Sequence, residues 1–169
     1  MTLTATANYL VVTGFSLPFL GTAGTGVSIE MWVRSGSYSG FTSSSEGWTL
    51  FDTFSVTTGE PDTWAAGTLN SQFSLPQGQT MSVYLHSITE GHGIRYAGQG
   101  GAPPAMTYSD AELTLTSNST MTGSVPFSGS VFTPRAFSGT VEYEVVPETS
   151  SLTLAGVGAL LLARRRRRA

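Results

Sequence analysis

Apolar and polar residues alternate with period two in several stretches of the chain, the signature of strands with one buried face. Val27, Ile29, Met31 and Val33 face one way, and Ser28, Glu30, Trp32 and Arg34 the other. Met81, Val83 and Leu85 alternate with Ser82, Tyr84 and His86, and Val141, Tyr143 and Val145 with Thr140, Glu142 and Glu144. Leu113 and Leu115 mark a shorter strand. Residues 48–56 form another, in which Asp52 interrupts the apolar face and Phe51 falls on the opposite side. Weaker strand patterns lie at 9–13, 69–75, 94–96 and 132–137, and no window ahead of Pro147 sustains a helical period.

Eight or nine short strands with one apolar face each need a second sheet to cover them. The pattern therefore predicts an all-β chain: an antiparallel β-sandwich, jelly-roll-like, forming one domain over residues 1–146 with its core from about residue 8 onward. A chain of 169 residues has enough length for one such domain.

Composition changes the picture in two ways. Only 11% of residues are charged, lysine is absent, and Ser and Thr together number 46, so the surface is uncharged and hydroxyl-rich, as is common outside cells. The absence of cysteine excludes disulfides, thiolate metal sites and cysteine catalysis. The net charge of −3 also hides a division, because five of the eight basic residues are Arg164, Arg165, Arg166, Arg167 and Arg168. Ahead of Pro147 three arginines stand against ten acids, which leaves no basic footprint for nucleic acid.

The uncharged run 150–163, SSLTLAGVGALLLA, separates that cluster from the body. As a helix it spans roughly 21 Å, against a bilayer core of about 30 Å. Its larger apolar residues favour insertion by about 2–4 kcal/mol in total, whereas each arginine costs about 2.5–3.5 kcal/mol to carry across. The arithmetic predicts a short C-terminal transmembrane helix that enters weakly and stops firmly. Val146, Pro147 and Glu148, then the apolar run, then the arginines resemble the PEP-CTERM sorting signal, with Thr149 where the family usually carries a second proline. The resemblance covers about the last two dozen residues. It implies processing by exosortase, a membrane enzyme, and placement on the cell surface or in the extracellular matrix of a Gram-negative-type bacterium. Residues 34–50 and 132–145 also resemble patterns in β-rich domains that precede such tails, without an assigned activity. Export calls for a signal peptide, and residues 1–20 lack a basic n-region. The expectation is a start set too far downstream, with the signal and a first strand ahead of it.

Candidate chemistry is sparse. His86, Glu90 and His92 have no standard metal spacing and read as solvated surface groups. Asp110 and Glu112, one strand period apart, with Glu60 and Asp62, read as solvated acids rather than a calcium site. No Gly-x-Ser-x-Gly elbow occurs, Asn118-Ser119-Thr120 reads as a chance sequon, and no catalytic residue, cofactor or metal is expected. The loops at 35–47 and 57–68 carry Tyr38, Phe41 and Trp64, rings that either close the ends of the sandwich or hold a sugar. The leading expectation is a non-enzymatic exported surface protein; the alternative is a carbohydrate-binding module of extracellular polysaccharide delivered by the same route.

Overall fold

The computed structural model describes residues 1–61 and 63–147. These residues form thirteen strands and no helix, and every strand pairing is antiparallel. The transmembrane helix expected over 150–163 lies outside the described residues.

The expected strands at 27–34 and 81–86 are β3 (Gly26–Ser35) and β6 (Thr80–Ser87). They pair directly, Met31 opposite Leu85 and Val33 opposite Val83. The strand expected at 48–56 is β4 (Thr49–Thr57). Its register against β3 slips between Met31 and Trp32, whose partners are Asp52 and Leu50, so Phe51 is the extra residue of a bulge. That bulge explains the broken alternation, because Asp52, Phe54 and Val56 face inward while Leu50 turns outward.

Three short strands escape the apolar pattern: β1 (Thr2–Ala5), β8 (Thr107–Ser109) and β10 (Thr120–Thr122). The first corrects the expectation that the core begins near residue 8. β1 sits inside the six-stranded sheet, with Leu3 opposite both Met81 and Leu115. With β9 (Leu113–Thr116), the order in that sheet is β4-β3-β6-β1-β9-β8.

The facing sheet has three strands in the order β13-β2-β5. These are β2 (Tyr9–Pro18), β5 (Trp64–Leu75) and β13 (Thr140–Val146). β2 and β5 are much longer than their apolar patterns at 9–13 and 69–75. The weak patterns at 94–96 and 132–137 become small pieces: β7 (Tyr96–Ala97), β11 (Ser130–Phe132) and β12 (Ala136–Phe137).

Between the two sheets lies one continuous core. Leu10, Val12, Phe15 and Leu17 of β2 meet Val27, Ile29, Met31, Phe54 and Val83 of the larger sheet, all of them buried. Phe15 stacks on Phe54 at 6.3 Å and Phe51 meets Phe73 edge-on at 5.3 Å, which ties the layers together through aromatic area. Side chains of the facing sheet pack directly on Gly67, where a Cβ would stand 2.5 Å from Val56 Cγ2 and 2.7 Å from Phe54 Cε2. A Cβ on Gly14 would strike the Gly67 carbonyl, so two strands of one sheet also crowd there. These features define an all-β, sandwich-like fold.

A carboxylate joins the sheets at each lateral side. On one side Asp52 of β4 accepts the backbone N–H groups of Asn70 and Ser71 in β5. On the other, Asp110, in the turn between β8 and β9, accepts the hydroxyl of Tyr143 on β13 at 2.7 Å.

Candidate functional site

Two clefts bear on function, and each grows from a different side of the sandwich. The first lies against the outer face of β6. Ser82, Tyr84 and His86 point away from the main core, as the alternation predicts, yet Ser82 and His86 are buried and Tyr84 is half-buried. Phe127, in the turn after β10, packs on Tyr84 at 5.0 Å, on Trp48 at 5.5 Å and edge-on to Trp32 at 5.3 Å. Its backbone sits at φ 59°, a left-handed conformation costly for an aromatic residue, and the ring contacts it makes offset that cost.

The reading of His86 as a solvated histidine is therefore corrected: it is 6% exposed. Its Nδ1 meets the Tyr84 hydroxyl at 3.3 Å, while Nε2 is buried without a hydrogen bond. Burial holds the imidazole below its ordinary pKa, opposed by the Ser124 carbonyl and the Glu30 charge. Burial likewise raises the pKa of Tyr84. Both groups are thus kept neutral near pH 7.

Tyr38 and Phe41 lie beside this first cleft, whose volume is about 320 Å³. Tyr38 lines it, and its hydroxyl oxygen accepts the Asn118 N–H at 2.7 Å. Phe41 carries the Arg34 guanidinium 3.5 Å above its ring, and its carbonyl accepts the Trp48 indole N–H. Both contacts hold the loop 35–47 onto the sheet.

Trp64 belongs elsewhere. It opens β5 and lines a second groove of about 350 Å³, together with Tyr108, Asp110, Phe137 and Tyr143. The two clefts share the Phe137 ring but not the three aromatic residues singled out in the sequence. Tyr108 and Tyr143 are the groove residues that sequence reasoning missed. Alternation places Tyr143 on the apolar face of its strand and says nothing of its hydroxyl, and Tyr108 sits in a strand of three residues, too short for periodicity to register.

The acids do not gather. Asp110 Oδ1 accepts the N–H groups of Glu112 and Leu113, closing a tight turn. Burial pushes the Asp110 pKa up, but the Leu113 N–H, the Tyr143 hydroxyl and the Glu112 N–H outweigh it and hold the carboxyl below its ordinary value. Burial first, and then the Asp110 contact, push Tyr143 up to about 12. Glu112 accepts the Asn8 amide at 2.8 Å, and the Glu60 carbonyl closes a turn with Thr63. Asp62 lies outside the described residues. His92 rests its Nδ1 on the Glu90 carbonyl, a bond local to that loop. Among the described residues no three His, Asp or Glu side chains converge as metal ligands.

Of the C-terminal signal, Val146 ends β13 and Pro147 follows it, both exposed. Glu148, the apolar run and Arg164 to Arg168 lie outside the described residues. Compared with known families, curated proteins and solved structures, the chain has no match.

Proposed function

We propose that the protein is a non-enzymatic β-sandwich, jelly-roll-like in topology, exported and displayed on the cell surface or in the extracellular matrix through a PEP-CTERM-type signal read by exosortase. The observation that carries this reading is the order of the last two dozen residues: Pro147-Glu148, an uncharged apolar run, then five arginines. The end of β13 at Val146 and the exposure of Pro147 support it, since a processing enzyme needs accessible chain next to its motif. Exosortase and the membrane, through residues 150–163, are the proposed partners. The non-enzymatic part is supported by Asp52, both of whose oxygens are occupied by backbone N–H groups of the fold.

The test is intact-mass analysis of the protein from an exporting host with active exosortase. Mature chain ending near Pro147-Glu148 and lacking the arginines is the expected product. Recovery of only full-length chain, ending at Ala169, overturns the reading.

A second reading, a carbohydrate-binding module delivered by the same route, is favoured by one observation. Trp64 and Tyr108 are 56% and 48% exposed in one groove. Exposed rings gathered in one groove mark a contact surface, whereas rings scattered singly do not.

A further inference from the structure

The groove that holds Trp64 and Tyr108 has a chemistry narrow enough to select among glycans. Trp64 comes from the three-stranded sheet, and Tyr108 from the edge strand of the six-stranded one, so the groove bridges the two layers. A sugar ring offers an apolar C–H face that packs on aromatic rings, and a rim of hydroxyls that need polar partners. Asp110 supplies such a partner. An ionised carboxylate has about four lone-pair positions. Two on Oδ1 take the N–H groups of Glu112 and Leu113, and one on Oδ2 takes the Tyr143 hydroxyl, so Oδ2 keeps a position for a further donor. Ser138 adds a hydroxyl to the same lining.

Charge then decides between neutral and acidic chains. Asp110 is a lining group, and among the described residues no Lys, Arg or His lines the groove. A uronate or sulfate in the groove would share it with that carboxylate and meet no cation among the described lining residues, and like charges without a counter-ion repel.

We propose that this groove binds a neutral polysaccharide, with Trp64 and Tyr108 stacking on sugar rings and Asp110 accepting a sugar hydroxyl, and that Asp110 turns acidic polysaccharides away. The proposal rests on the carbohydrate reading above and adds to it the site and the class of glycan.

Affinity electrophoresis of the full chain in gels containing hydroxyethylcellulose, mixed-linkage β-glucan or alginate tests it. Retardation by a neutral polymer and none by alginate is expected. Trp64→Ala should weaken the neutral interaction at least 10-fold without changing the thermal midpoint. Asp110→Asn, which replaces the Oδ2 acceptor by an amide N–H, should weaken neutral binding, though less than Trp64→Ala does, and gain retardation by alginate. Independently of any variant, a neutral oligosaccharide cut from the retarding polymer should shift the Trp64 indole N–H resonance of the wild-type protein. Stronger retardation by alginate than by both neutral polymers overturns the proposal. Retardation that survives Trp64→Ala, with an unmoved Trp64 resonance, overturns the site and leaves the carbohydrate reading standing. No retardation by any of the three polymers, with no shift from cellohexaose or laminarihexaose, overturns both.

Discussion

Asp52 Oδ2 accepts the backbone N–H of Asn70 at 2.7 Å, across the gap between the two sheets. The same oxygen takes the Ser71 N–H at 3.0 Å, and Oδ1 takes the Thr53 N–H at 2.7 Å. Those donors are available because β5 leaves the ladder with β2 over residues 69–72, where the register slips. Asp52 thus fills the place of a missing strand neighbour. Asp52→Ala is expected to destabilise the fold by about 2 kcal/mol, since partly buried donors lose their acceptor. Asp52→Asn, which keeps one carbonyl oxygen, should lose about half as much. Urea unfolding of both variants measures the difference.

Gly67 offers a steric test of how closely the sheets approach. Gly67→Ala should cost about 1–3 kcal/mol, because the new methyl meets Phe54 and Val56 inside a filled core. Ala66 points outward beside it. Ala66→Ser should change stability by no more than about 0.5 kcal/mol. Equal losses at the two positions would show that the strand faces are misassigned.

Val83 and His86 lie on opposite faces of β6, and both are buried. Val83→Asp sets an unpaired charge against the facing sheet and should unfold the domain. His86→Ala would be silent at a solvated position; here it removes a ring packed beside Tyr84 and should lower stability by about 1–2 kcal/mol. Circular dichroism through a thermal ramp separates the two outcomes.

Acid should weaken the fold through two groups with the same sign. The Met1 amine is buried, donates to the Val83 carbonyl, and has its pKa lowered from 8.0 to about 5. In a preparation of the chain that begins at Met1 with a free amine, the unfolded state takes up a proton below about pH 8, while the folded state resists it until about pH 5. Stability is then greatest above pH 8 and falls as pH drops toward 5. At about 1.4 kcal/mol per pKa unit, the upper bound is on the order of 4 kcal/mol. His86, also lowered by burial, adds a loss that begins below its ordinary 6.5. The urea midpoint should therefore rise from pH 5 to pH 8, and His86→Gln should keep the part of the rise above pH 6.5. A flat profile would contradict both assignments.

The strands that could be read from the sequence are those whose inner face meets the main core. β3, β6 and β9 show their alternation because one side enters the main core and must be aliphatic, while the other carries polar or amphipathic residues. β1, β8 and β10 hold three or four residues each, mostly Thr and Ser, and are placed by pairing with distant partners rather than by their own pattern. The same distance hid the environment of His86. Alternation told which way the ring points, but the Phe127 that helps cover that face lies some forty residues further on. Trp64 was visible as an aromatic residue in a loop-like stretch. Its groove was not, because the other lining groups come from two distant places in the chain, Tyr108 with Asp110 and then Tyr143.

The central position of β1 has a consequence for timing. Its partners are Thr80 to Ser82 on one side and Leu113 to Thr116 on the other, so the six-stranded sheet stays open at its middle until residue 116 has emerged from the ribosome. Contacts of such long sequence separation form slowly, because the loop between them must close first. The sandwich therefore cannot close around β1 until most of the chain has been made.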